Sequence, residues 1–312
     1  MAYGTAQAVH GERERMCTLI VLHRCVPGRP LVVAANRDEF FARPAEGPAI
    51  REGRAGRILA PRDLEAGGTW LGLNDRGVFV GLTNLRPEKP DPHDPDGPAR
   101  ATPGLRSRGE VVLNALEARS AAEAVRALED LEEGAYNPFQ LLVADERQAR
   151  LVIYRARPEI VALLPGVHVV GNVEERMDEG ADPTPPESRM RKLTRVRRRV
   201  ERMMTQPDQD LLEGLAGICR EHVAADGAQA PRSQAARGST SFESTCVHAG
   251  ETYGTRSSLL LELAGKPEAS RLWGTDGAPC ERPYEDLSPL LRALDVRSGP
   301  AAEAETEART KR

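Results

Sequence analysis

No segment of this sequence supplies the run of about 18 apolar residues that a membrane-crossing helix needs. Residues 1–15 (MAYGTAQAVHGERER) lack an apolar h-region and a small-residue cleavage site, so they do not read as a secretory signal. Cysteine is sparse: Cys17, Cys25, Cys219, Cys246 and Cys280, with no CxxC pair and no CxxCH haem-attachment motif. An odd, scattered set argues against a disulfide framework and fits reduced thiols, with the cytoplasm as the expected compartment. Charge is not strongly biased either. The formal net charge of −4 argues against a nucleic-acid binder. There is no internal repeat. What remains is an ordinary soluble globular composition, with 312 residues, 40% of them hydrophobic, and a mean hydropathy of −0.47.

Along the chain, Cys17–Val26 reads as a buried strand and Pro27-Gly28 as a turn. Leu31–Ala35 is its hairpin partner and delivers Asn36-Arg37-Asp38-Glu39 at its end. Residues 40–66, polar and rich in Gly, Pro and Arg, read as an irregular excursion. Gly68–Leu73 and Val78–Leu82 form a second hairpin across Asn74-Asp75-Arg76-Gly77, with Asn84 at its exit. Pro87–Pro103 holds too many prolines for regular structure and reads as a surface loop of lid length. Ser107–Ala118, Ala121–Leu131, Glu187–Met204 and Asp208–Val223 read as helices. Phe139–Ala144, Leu151–Ala156, Ile160–Leu164, His168–Gly171, Leu259–Leu263 and Arg271–Trp273 read as strands. Ala224–Gly238 reads as a low-complexity loop, and residues 298–312 as a disordered tail. The alternation of strand groups with helical pairs predicts an α+β layered fold. We read residues 16–297 as one domain and residues 1–15 as a dispensable extension.

Cys17 draws attention because of Met16. Met-Cys-Thr-Leu-Ile reads like a translational start, with an initiator Met that is trimmed before a small residue; a propeptide cut at the same bond has the same result. Either event gives Cys17 a free α-amine beside its own thiol, whereas a chain kept intact from Met1 leaves that amine an amide. An α-amine of pKa about 8 can accept the proton of a thiol of pKa about 8.5. Arg37, Asp38 and Glu39, at the end of the paired strand, can lie beside that amine and thiol. Asn84 and Asn172, each at a strand exit, can offer amide donors to an oxyanion.

MCTLIVLHR, ANRDEFFARP, GGTWLGLNDRGVFVGLTNLR, SRGEVV, YNPFQLLVAD, VVGN and ETYGTRSSLLL occur in this order. Together they resemble the NRDE family, also called the Transport and Golgi organisation family, from about Met16 to about Leu263. That family is similar to choloylglycine hydrolases and penicillin V acylases. The resemblance implies an N-terminal-nucleophile αββα sandwich, two antiparallel sheets between helical layers. It also implies Cys17 as nucleophile, Asn84 and Asn172 as oxyanion or amine-positioning groups, Arg256 near the thiol, and Asp38 or Glu39 holding the amine. Two functions follow: an amidohydrolase acting on a small carbon–nitrogen bond with no required cofactor, or a non-enzymatic trafficking protein that handles an apolar ligand such as haem or lipid.

Other features read as structural. Arg189–Arg202 carries eight basic residues against one acid, and we read it as a solvated basic face over an apolar stripe. Cys246-Val247-His248 puts two soft ligands on one strand face, and metal or haem ligation there needs a second pair. His23, His168, Trp70 and Trp273 read as core residues.

Overall fold

The computed structural model describes residues 17–85, 102–172, 187–206, 209–223 and 243–296. The expectations for residues 1–15, for Met16, for most of the proline-rich stretch, for Ala224–Gly238 and for the tail lie outside the described residues.

The first sheet is built on β1 (Thr18–Val26) and β2 (Arg29–Phe40). With β10 (Gly166–Val170), β11 (His248–Ala249), β12 (Tyr253–Leu263), β13 (Arg271–Asp276) and β14 (Glu285–Asp286) it runs β10-β1-β2-β12-β13-β14, with β11 paired to β12. The second sheet is a meander of β3 (Ala45–Glu52), β4 (Arg57–Asp63), β5 (Leu71–Asn74), β6 (Phe79–Asn84), β7 (Phe139–Ala144), β8 (Ala149–Tyr154) and β9 (Pro158–Leu163). All pairings between these strands are antiparallel. Helices α1 (Arg108–Ala115) and α2 (Ala121–Glu129) cover the second sheet. Helices α3 (Glu187–Met204) and α4 (Leu211–Cys219) cover the first.

The side-chain period of two sorts the strand residues into three apolar layers. Leu19 and Val21 of β1, with Leu31 and Val33 of β2, face the second sheet, where they meet Phe79 and Leu142. Ile20, Leu22, Val32 and Ala34 face the other way, onto Leu193, Val196 and Leu215 of α3 and α4. Val80, Leu141 and Val143 meet Val112 and Leu116 of the α1 segment and Val125 of α2. The result is the expected α+β sandwich in αββα order.

Two asparagines tie helices to sheets. Asn36 donates from Nδ2 to the carbonyl oxygens of Cys219 and Thr245, both at 2.9 Å. Asn74 donates from Nδ2 to those of Leu116 and Ala118 at 2.8 and 2.7 Å. In each case a strand side chain satisfies one carbonyl at a helix C-terminus, Cys219 or Leu116, that no intrahelical N–H can reach, and a second in a loop, Thr245 or Ala118.

Residues 40–66 are not an irregular excursion: they hold β3 and β4. β3 is an edge strand, and in AEGPAIRE no residue is fully buried, so the apolar alternation that marks a strand is missing. A short helix, α5 (Ser288–Leu294), also escaped the sequence reading; it packs Leu291 and Leu294 into the layer between the sheets. Among the described residues no helix is long and apolar enough to cross a membrane.

Candidate functional site

Cys17 sits just ahead of β1, at a cleft of about 330 Å³ between the two sheets. Strand alternation decides which of the four NRDE residues reach it. Arg37 and Glu39 line the cleft. Asn36 also borders the cleft, but its side-chain amide donates toward the end of α4, and Asp38 turns to Thr255, whose hydroxyl donates to Asp38 Oδ1 at 2.6 Å. Asn84, the last residue of β6, lines the cleft from the opposite sheet, and Arg43, Asp63, Trp70 and Arg108 complete its polar wall. The volume falls at the small end of small-molecule sites.

The other two expected residues stand apart. Asn172 is buried, with its Oδ1 lacking a hydrogen-bond partner, and does not line the cleft. It follows Gly171, whose carbonyl accepts from Thr83 Oγ1 and Gln140 Nε2, each at 2.8 Å. Gly171 lies close to the main chain of Cys17: a Cβ there would sit 3.7 Å from the Cys17 carbonyl oxygen. Arg256 does not line this cleft. β12 bulges between Thr255 and Ser257, and Arg256 turns into a second cavity, where its Nη1 meets Asp276 Oδ1 at 2.5 Å.

The electrostatics come from burial. Burial pushes the Cys17 thiol up to about 12, and the Asp38 carboxylate adds to this. Burial likewise raises Asp38 to about 7, against the pull of Lys192. Lys192 on α3 is fully buried, and burial holds its ammonium below the usual range against the pull of Asp38. Arg108 is brought down to about 10 by burial, with Glu39 opposing. Arg37 stacks on Trp70, its guanidinium 4.1 Å from the ring centroid, and its Nη1 is buried with no hydrogen-bond partner.

Sequence reasoning missed Lys192 and Arg108 and placed Trp70 in the core. Lys192 lies four residues before buried Val196, on the apolar stripe of α3, and that spacing was the available signal. The rest of α3 is as expected: Leu193, Val196, Val200 and Met203 pack inward. Arg199 pairs with Glu221 at 2.5 Å. His23 is buried as read, but His168 and both tryptophans are only partly buried.

The family model of Transport and Golgi organisation 2 matches residues 16–270. This chain belongs to the Transport and Golgi organisation 2 family. A mouse Transport and Golgi organization 2 homolog is 35% identical over 151 residues, 46% of this chain and 50% of the mouse protein. A human homolog is 34% identical over the same shares. The match thus spans about half the length of these relatives. Among solved structures, a variant of conjugated bile acid hydrolase from Clostridium perfringens aligns with a TM-score of 0.50 at 13% identity, covering 89% of this chain and 94% of that one. A Caenorhabditis elegans ortholog of N-acylethanolamine-hydrolyzing acid amidase aligns at 0.43 and 15% identity, over 64% and 85% of the two chains. The alignment with the bile acid hydrolase variant shows that this member of the Transport and Golgi organisation 2 family has the N-terminal-nucleophile hydrolase fold.

Proposed function

We propose that the cleft at Cys17 hydrolyses a carbon–nitrogen amide bond in a small acyl amide once Cys17 carries a free α-amine. The observation that carries this reading is one cleft lined by a cysteine at the head of a central strand, an asparagine from the facing sheet, and Arg37 with Glu39 between them. While Cys17 is peptide-linked, burial and the carboxylates of Asp38 and Glu39 hold its thiol neutral. The same carboxylates favour a positive charge at that position, which a free α-amine provides on taking the thiol proton. The sulfur then attacks the carbonyl carbon, and the carbonyl π pair moves to oxygen, toward the Asn84 amide. Collapse expels the amine with the proton from the α-ammonium and leaves a thioester. Water attacks the thioester, releases the acid and returns the proton to sulfur. Four arginines, Arg37, Arg43, Arg106 and Arg108, line the cleft against the acids Glu39 and Asp63, and this excess of positive charge suits a substrate with an anionic group.

The test is a chain beginning at Cys17, its N-terminus verified by mass spectrometry, assayed on a panel of acyl amides and lactams beside Cys17→Ala. Turnover that vanishes in Cys17→Ala is the expected result. Absence of Cys17-dependent turnover in the verified chain overturns the proposal.

A further inference from the structure

The second pair of ligands for Cys246 and His248 comes from parts of the chain that the sequence keeps far apart. His222 follows α4, and Cys280 lies in the turn after β13. The ligand atoms of His222, Cys246, His248 and Cys280 all lie within 4.8 Å of one another. We propose that these four residues form a closed zinc site, distinct from the Cys17 cleft, that clips the end of α4, the β11–β12 hairpin and the turn at Cys280 together.

Three observations point to a metal. The first is spacing. Tetrahedral zinc with bonds of about 2.3 Å to sulfur and about 2.0 Å to nitrogen holds its sulfurs about 3.8 Å apart and sulfur from nitrogen about 3.5 Å. Here the two sulfurs are 3.5 Å apart, and His248 Nε2 is 3.7 Å from Cys246 Sγ and 3.1 Å from Cys280 Sγ. The second is the orientation of His222. Its Nδ1 lies 3.0 Å from the Cys246 carbonyl oxygen, which can only accept, so the proton sits on Nδ1 and Nε2 is the free ligand atom. That Nε2 is buried with no hydrogen-bond partner. A ring nitrogen fixed through its other N–H to a carbonyl is the usual arrangement of a metal-ligating histidine. The third is the bracing of the segments. The amides of Thr245 and Cys246 donate to the Glu221 carbonyl at 3.1 and 3.0 Å, and Arg220 Nε donates to the Pro279 carbonyl at 3.2 Å. The scaffold holds the ligands together through bonds that do not involve the ligand atoms themselves.

The donor chemistry selects the ion. Two thiolates balance Zn²⁺, and two sulfurs with two imidazoles suit zinc rather than magnesium or calcium, which take oxygen ligands. Four protein ligands leave no open position, so the ion is structural.

The experiment uses the full chain, purified under reducing conditions without chelators. Elemental analysis should find about one zinc per chain. Cobalt added to metal-stripped protein should give the visible bands of a tetrahedral site and a thiolate-to-cobalt charge-transfer band. Cys280→Ser and His222→Gln should each weaken zinc binding by at least about 100-fold, since even an outer partner of a ligand is worth 10- to 100-fold. Cys17→Ala should keep the metal in full, which separates this site from the cleft. If the reduced wild-type chain takes up neither zinc nor cobalt, the proposal fails, and this result needs no variant to fold. Retention of the tetrahedral cobalt spectrum in both variants overturns it equally. So does a Cys246–Cys280 disulfide trapped by alkylation in freshly isolated protein, which would make the pair a redox couple.

Discussion

The Cys17 thiol lies 3.7 Å from the main-chain carbonyl oxygen of Asp38, and burial and the Asp38 carboxylate hold that thiol at a pKa of about 12. At pH 8 a thiol of that acidity is ionised to about one part in ten thousand. Cys17 in the full-length chain should therefore alkylate far more slowly with iodoacetamide than free cysteine does, as read by peptide mass spectrometry. Asp38→Asn removes the second-largest cause of the shift and should speed labelling. A chain that begins at Cys17 should label faster still. Equal rates in all three would mean that neither burial nor Asp38 governs this thiol.

Asp38 and Lys192 are both buried and each pulls on the charge of the other across the first sheet and α3, and stability should show it. Breaking such a pair by removing one partner costs about 3–5 kcal/mol. Lys192→Met should fall in that range by urea unfolding at pH 8, and Lys192→Met with Asp38→Asn should recover much of the loss. The pH dependence has a definite sign. The folded pKa of Asp38, about 7, lies above its ordinary value of 3.8. The native state thus binds the proton more tightly, and the stability it contributes is present below pH 4 and lost as pH rises toward and through 7. Asp38→Asn should flatten that part of the profile. An unchanged slope in Asp38→Asn would assign it to other groups.

How much of this was legible in the sequence depends on where the information resides. β1 could be read because Leu19, Ile20, Val21 and Leu22 are apolar on both faces, as a strand buried between a sheet and a helical layer must be. Cys17, Arg37, Glu39 and Asn84 could be read because each stands at or near a strand end. β3 could not, since an edge strand with half-exposed residues has no apolar alternation to display. That Arg256 lines a second cavity beside a bulge in β12 could not be read, since a bulge leaves no mark in composition. Lys192, His222 and Cys280 acquire their roles only through packing against residues distant in sequence. The Cys246–His248 spacing was visible; the second pair was not.

The asparagine anchors should rank in a predictable order. Asn36→Ala leaves the Cys219 and Thr245 carbonyls without their side-chain donor in buried surroundings, and buried polar groups left unsatisfied cost about 1–3 kcal/mol each. Asn74 does more, since its Oδ1 also accepts from the Arg76 and Val78 amides at 3.0 and 2.9 Å and shapes the β5–β6 turn. Asn74→Ala should therefore destabilise the chain more than Asn36→Ala. Chemical denaturation at one pH checks the order, and a larger loss in Asn36→Ala would count against the turn's contribution.

Gly68 connects the fold to the cleft through main chain alone. A Cβ at this position would lie 2.5 Å from the carbonyl carbon and 2.7 Å from the Cα of Gly109, in the first turn of α1. Backbone cannot rotate aside as a side chain can, so Gly68→Ala must shift the start of the helix or the segment before β5. Overpacking of this kind costs about 1–3 kcal/mol. Ser107 and Arg108, at that end of α1, line the cleft beside Cys17, so the shift should also widen the site. Gly68→Ala is thus expected to lower the unfolding midpoint and to alter the binding of anionic cleft ligands, while Gly134→Ala, open in space at a positive φ of 70°, should affect stability without touching the cleft. Ligand titrations of the two variants, each with its denaturation curve, separate these outcomes. If Gly68→Ala leaves ligand affinity unchanged despite a clear loss of stability, then the close approach of Gly68 to Gly109 serves the fold and not the shape of the cleft.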